Sequence, residues 1–107
     1  MEPPESYEIE GTVIRFMPED SVSVPLWDGG GLLPDEPEWL NRALGLSPEL
    51  VADLAAWGDD WNAAIYGQKF TAEEHLARRE RLDAEAQVLV ERLRFELPNG
   101  YTVVYRP

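Results

Sequence analysis

The first quarter of the chain contains two stretches in which apolar and polar residues alternate. This period of two is typical of a strand with one buried face. The alternation changes phase at Ile14, and Gly11 shortly before it indicates a bulge in the first strand. Turn residues at 18–21 separate the two stretches. We therefore expect strands at 7–17 and 21–27, paired as a hairpin.

Three later segments carry apolar residues at intervals of three and four, which is the spacing of a helix with one buried face. The spacing predicts helices at 37–44, 48–66 and 72–96. Start signals precede each helix: Asp35 can cap the first, Ser47 the second, and Thr71 with Glu74 forms a capping box for the third. After a turn, the alternation resumes and predicts a last strand at 101–106.

This β-β-α-α-α-β order predicts an α+β fold: a small, mostly antiparallel three-stranded sheet with helices packed on one face. We expect residues 1–6 to form a disordered acidic tail and residues 7–107 to form a single domain, because 107 residues suit one core. The apolar stripes of the two longer helices predict that five of their side chains share this core, namely Leu54, Trp57, Trp61, Leu89 and Leu93.

Composition excludes several classes of protein. The chain has no cysteine, which rules out disulfides and thiolate chemistry, and no apolar run approaches the ~20 residues of a membrane span. The N-terminus is acidic and Pro-rich, unlike a signal peptide, so we expect a cytoplasmic protein. Arg supplies every basic side chain except Lys69, and Ala and Leu are abundant, which is typical of GC-rich bacterial coding sequences.

The net charge is −12, and it is distributed unevenly. Residues 1–68 contain fourteen acidic and two basic side chains, whereas residues 69–107 contain seven of each. The whole excess therefore lies in the first two-thirds of the chain. Such a field repels nucleic acid and anionic lipid and attracts basic proteins. Solubility alone is an equally good explanation of the acidity.

Residues that could carry chemistry are few, and none forms a known catalytic or metal-binding pattern. His75 is the only histidine, with no serine, cysteine or second histidine beside it in a catalytic arrangement, and transition-metal sites favour several ligands of this kind. His75 and Arg79 precede the apolar stripe of their helix, which indicates that this helix overhangs the core. The glycine-rich loop after Asp28 lacks a basic residue that could hold a phosphate. We therefore predict a non-enzymatic protein without cofactor or metal.

Acidic side chains and one tryptophan define the predicted contact surface. A loop and a short helix combine carboxylates with an aromatic side chain, and the next helix carries a second row of carboxylates. The candidate partner-binding residues are Asp28, Asp35, Glu36, Glu38, Trp39, Glu49, Asp53, Asp59 and Asp60. Trp27 and Trp39 lie near loops, which favours partial exposure, although a core position is more common for each alone. We expect Glu80 and Glu85, in the electrically neutral part of the chain, to contribute little.

The segment from Val24 to Leu40, followed by Leu46 to Leu54, resembles small bacterial immunity proteins of polymorphic toxin systems. The resemblance implies a cytoplasmic inhibitor that neutralises a toxin by binding it. The acidity then favours a basic protein partner, such as a nuclease toxin whose cleft is blocked, with no role for nucleic acid or membrane. Two alternatives remain open: a regulatory or adaptor domain that binds a host protein, and a nucleic-acid mimic.

Overall fold

Three strands and three helices follow one another in the predicted order. The computed structural model describes residues 8–66 and 71–107. The elements are β1 (Val13–Phe16), β2 (Leu26–Trp27), α1 (Pro37–Leu44), α2 (Pro48–Tyr66), α3 (Ala72–Glu96) and β3 (Thr102–Tyr105). This order confirms the α+β fold, and the helix bounds agree with the predicted ranges. The predicted tail at 1–6 lies outside the described residues.

The sheet is mixed, whereas the sequence predicted a mostly antiparallel one. Its strand order is β2-β1-β3. β1 and β2 form the expected antiparallel hairpin, in which Phe16 pairs with Leu26, but β3 runs parallel to β1, with Val13 opposite Thr102. A short turn permits only an antiparallel pair, while a long crossover allows a parallel one. The three helices between β2 and β3 form such a crossover.

The first strand begins later than the predicted range of 7–17. Within residues 8–12, Gly11 adopts a positive φ of 78° and bends the chain before β1 starts. Ile14 is buried and Val13 is exposed. The change of phase at Ile14 therefore marks the start of the strand rather than a bulge within it. Tyr7, where the predicted strand begins, lies outside the described residues.

The second strand contains only two residues of its predicted range of 21–27. Pro25 precedes it and has no N–H to donate to a neighbouring strand. Ser21 adopts a positive φ of 64°, so the chain turns at the point where the second strand was predicted to begin. Val22 and Ser23 contact α2 instead, and Asn62 Nδ2 donates to the Val22 carbonyl oxygen at 3.2 Å.

Helix caps explain where α1 begins and ends. The N-cap is Glu36, whose side chain makes no capping hydrogen bond, so the prediction that Asp35 caps this helix is wrong. Pro37 supplies the first helical residue because its fixed φ suits that position, and this places the cap on the residue directly before it. Gly45 ends α1 in the left-handed conformation, with φ 72°.

The two longer helices begin as the sequence predicted. The Ser47 hydroxyl accepts a hydrogen bond from the Leu50 amide at 3.2 Å and donates one to Glu96 at the end of α3. Thr71 and Glu74 form the predicted capping box at the start of α3. The side chain of Glu96 therefore joins the last turn of α3 to the first turn of α2.

The core cluster draws buried side chains from the sheet and from all three helices. The predicted core residues Leu54, Trp57, Leu89 and Leu93 are all buried in one cluster, and Trp61 is half-buried against it. The Trp57 indole donates to the carbonyl oxygen of Leu82 at 2.9 Å, so its polar atom is satisfied inside the core. The prediction of one shared core is confirmed.

The N-terminal part of α3 extends beyond this core. At ~1.5 Å per residue, a 25-residue helix is roughly 37 Å long. Residues 72–81 are exposed apart from the half-buried Arg78, and Leu82 is the first buried side chain of the helix. This confirms the overhang expected from the polar positions of His75 and Arg79.

Candidate protein-binding surface

Seven of the nine predicted contact residues are exposed. They are Asp35, Glu36, Glu38, Glu49, Asp53, Asp59 and Asp60. The remaining two, Asp28 and Trp39, are buried. Most of the predicted contact residues are therefore accessible to a partner, but their side chains do not all face the same way.

Asp28 organises the loop after β2 from inside the protein. Its carboxylate accepts hydrogen bonds from the backbone amides of Glu10 at 2.8 Å, Gly30 at 2.8 Å and Gly31 at 3.0 Å. Its carbonyl oxygen accepts another from Arg15 at 2.9 Å. An aspartate that binds amides two and three residues later is the side chain expected in a tight turn. The prediction that Asp28 belongs to an exposed contact surface is wrong, because this carboxylate is fully buried.

Trp39 is a core residue. It is only 4% exposed and lies with Leu40 and Leu44 on the buried face of α1. The sequence favoured partial exposure because Trp39 lies near a loop in an acidic region, although a core position is more common for a tryptophan alone. The structure has the core position, since even a short helix can bury one whole face. Trp27 is half-buried, and its indole donates to the Met17 carbonyl oxygen at 2.9 Å.

The exposed acids of α1 and α2 are distributed over several faces. Asp59 accepts a hydrogen bond from the Ser23 hydroxyl at 2.7 Å, so it faces the connection between β1 and β2. Asp53 and Asp60 are seven residues apart on α2, on the face that borders α3. Glu49 lies one turn before Asp53 on this helix. The structure thus brings Asp53 and Asp60 together and separates Asp59 from them.

Asp53 and Asp60 line a surface groove between α2 and α3, hereafter the acidic groove. Its volume is about 330 Å³, and its lining consists of Asp53, Ala56, Trp57, Asp60, Glu85, Val88, Leu89 and Arg92. Three carboxylates and one guanidinium give this lining a net charge of −2. The other four side chains are apolar. The groove therefore offers negative charge beside apolar surface.

One of these carboxylates has an internal partner. Arg92 forms a salt bridge to Asp53 across the groove, and both side chains are substantially exposed. Ion pairs in such solvent-accessible positions contribute only about 0–1 kcal/mol to stability. Glu85 forms a looser pair with Arg81, with 3.6 Å between the charged atoms. Both pairs can rearrange at little cost when a basic group approaches.

The contribution of α3 to this groove was not predicted from the sequence. Glu85, Val88 and Arg92 follow one another at intervals of three and four residues, directly beside the buried stripe. The signal that could have found them was Val88, an exposed apolar residue next to charged neighbours. Averaging the charge over residues 69–107 concealed Glu85, which lines the same groove as Asp53 and Asp60.

A second concavity, of about 440 Å³, lies at the other edge of α2 and α3. Its lining includes Trp61, His75, Arg79, Asp83 and Tyr105. The Tyr105 hydroxyl donates to Asp83 at 2.9 Å. Burial, together with this hydrogen bond to a carboxylate, raises the pKa of Tyr105 above its ordinary value, so the phenol stays protonated further into the alkaline range than a free tyrosine does.

Two features are absent from residues 8–66 and 71–107: a cluster of metal ligands and a membrane-spanning helix. This part of the chain holds no group of three or more His, Cys, Asp or Glu side chains that could bind a metal ion. None of its helices is both long and apolar enough to cross a bilayer. The described surface does include the acidic groove, whose lining combines carboxylates with apolar side chains.

The fold and the acidic groove together define a small α+β domain with a surface suited to binding another protein. The family model described as Serratia CdiI immunity protein-like matches residues 12–107, and the chain belongs to this family. It is thus an immunity-type protein of contact-dependent inhibition toxin systems, with a toxin-neutralising, protein-binding role. This confirms the resemblance to immunity proteins. Searches of curated proteins and of solved structures give no significant match.

Proposed function

We propose that this protein neutralises a nuclease-type toxin by placing the acidic groove against the toxin's basic, nucleic-acid-binding cleft. The observation that supports the proposal is the convergence of Asp53, Asp60 and Glu85 on one groove. A chain with net charge −12 already attracts basic proteins at long range. The groove adds a defined site at which the attracted partner can bind.

The chemistry of such a target explains why carboxylates are suitable. A toxin that cleaves nucleic acid needs cationic side chains along its cleft to hold the phosphates. Carboxylates at the same positions satisfy those cations and exclude the substrate. Inhibition of this kind requires no catalysis by the inhibitor, and it would take place in the cytoplasm, where an incoming toxin meets its substrate.

The groove is a better contact site than the other exposed acids because it combines two kinds of interaction. Opposite charges across an interface mainly speed association and set the orientation of the partners. Apolar side chains in the centre of an interface supply more of the affinity. Among the predicted acids, Asp53 and Asp60 lie beside exposed apolar surface, at Val88.

The test measures association kinetics at two ionic strengths. The probe is the cognate toxin domain, carrying an inactivating substitution. The variant Asp53→Asn/Asp60→Asn changes the charge of the groove lining from −2 to zero, because Glu85 and Arg92 then balance. We expect slower association and a weaker dependence on salt, since charges at the rim of an interface act mainly on the on-rate.

A matched control changes the same number of charges elsewhere. Glu73 and Glu80 are exposed on the overhanging part of α3, so Glu73→Gln/Glu80→Gln should alter association far less. Equal effects of the two double variants would show that only total charge matters. Binding that ignores salt and tolerates both variants would contradict the electrostatic mechanism.

A further inference from the structure

The outer face of α3 carries two large apolar side chains that the fold leaves in solvent. Phe95 is 90% exposed and Val88 is 60% exposed. They are seven residues apart on one helix, which places them on the same face about 10 Å from each other. Ala84, one turn before Val88, is exposed as well. We call Ala84, Val88 and Phe95 the apolar stripe.

The apolar stripe is separate from the core. The buried positions of α3 are Leu82, Ala86, Leu89, Val90 and Leu93. Phe95 packs on none of them, since it is almost fully exposed. An isolated exposed apolar side chain needs no explanation. A nearly fully exposed phenylalanine in line with a second exposed apolar side chain is different, because aromatic residues are enriched in protein interfaces.

The apolar stripe is continuous with the acidic groove. Val88 belongs to both, because it lines the groove together with Asp60 and Glu85. A partner seated in the groove therefore reaches the stripe without leaving the surface of α3. Arg92, which lies between Val88 and Phe95 in the sequence, also lines the groove and forms a salt bridge to Asp53.

Charge decides between two possible occupants of the stripe. A second copy of this chain would bring together two molecules of charge −12, with acidic groove against acidic groove. Such self-repulsion opposes association. A basic partner gains from the same field. The stripe is therefore better suited to a basic protein than to a homodimer.

We propose that Val88 and Phe95 form the apolar anchor that holds the toxin once the acidic groove has attracted it. This inference rests on the proposed function and assigns the two stages of binding to different residues. The carboxylates govern the association rate, and the anchor governs the dissociation rate. Truncation of a central aromatic residue in an interface typically acts on dissociation.

The experiment measures association and dissociation of the same inactivated toxin domain with Phe95→Ala and Val88→Ala. We expect Phe95→Ala to raise the dissociation rate about tenfold or more, with an association rate within about twofold of the wild type. Leu76→Ala is the matched control, because Leu76 is 57% exposed on the overhanging part of the same helix. Leu76→Ala should leave both rates unchanged. Thermal unfolding of each variant shows whether its fold is intact.

The outcomes separate this inference from the function on which it rests. An unchanged dissociation rate in both anchor variants, with salt-dependent association still weakened by Asp53→Asn/Asp60→Asn, would overturn the anchor and leave the electrostatic function standing. A faster dissociation with no effect of the acid variants would support the anchor and contradict electrostatic attraction. A toxin domain that does not bind, or a wild-type dimer lost in Phe95→Ala by sedimentation, would overturn the anchor.

Discussion

Replacing Gly58 by alanine should destabilise the protein, although alanine is normally the better residue inside a helix. Gly58 lies in α2 where the connection between β1 and β2 crosses it. A Cβ atom at this position would lie 2.0 Å from the carbonyl oxygen of Ser23 and 3.1 Å from that of Val22. Ordinary contacts of this kind are 3.4–4 Å, so the backbone of the connection would have to move by more than 1 Å.

Two opposing contributions determine the sign of the effect. Glycine to alanine inside a helix gains about 1 kcal/mol. Forcing an extra carbon into a closely packed position costs about 1–3 kcal/mol, and a clash with backbone belongs at the upper end. Displacement of the connection would also strain the 2.7 Å hydrogen bond from Ser23 to Asp59 and the 3.2 Å bond from Asn62 to Val22. We expect a net loss of about 2 kcal/mol.

Urea denaturation followed by circular dichroism measures this loss. Ala52→Gly is the matched control, because Ala52 lies in the same helix but is exposed instead of being covered by the connection. The control should lose about 1 kcal/mol from helix propensity alone. A Gly58→Ala variant that gains about 1 kcal/mol would show that the connection does not pack on α2 as described.

Two further predictions concern the core and its edge. Leu93→Ala removes a fully buried side chain and should lower the free energy of unfolding, measured in urea, by about 2–5 kcal/mol. A loss below about 1 kcal/mol would show that Leu93 lies at the surface. The pKa of Tyr105 is higher in the folded state than in the unfolded state because of burial and the hydrogen bond to Asp83. The protonated Tyr105 side chain therefore stabilises the folded state fully below about pH 10, and this stabilisation declines at higher pH. Tyr105→Phe should lose less stability than the wild type between about pH 9 and 11 in urea titrations, and identical losses would refute this.

The helices could be predicted because their signals are local. The capping box of Thr71 with Glu74, the pair Ser47-Pro48 and the glycine at 45 each act within one turn of the chain. The sheet depends on pairing between distant segments. Nothing near β3 indicates that it lies beside β1 in the parallel sense, since that direction follows from the path of the crossover.

The contact surface was predictable only in part, for a similar reason. Sequence identifies Asp53 and Asp60 as one face of a helix, but it does not show that Glu85 approaches them from α3. Nor does it distinguish an exposed aspartate from Asp28, whose carboxylate is enclosed by backbone amides of its own loop and of residue 10. Grouping charges by position in the chain therefore does not show which carboxylates share one surface.

Competition between this protein and nucleic acid for the toxin tests the central claim most directly. A fluorescently labelled oligonucleotide substrate is first bound to the inactivated toxin domain, and the wild-type protein is then titrated into the complex while anisotropy is recorded. Because the acidic groove is proposed to occupy the nucleic-acid-binding cleft, we expect complete displacement of the oligonucleotide at stoichiometric protein, and weaker displacement by Asp53→Asn/Asp60→Asn. A stable ternary complex of toxin, oligonucleotide and this protein would contradict the account.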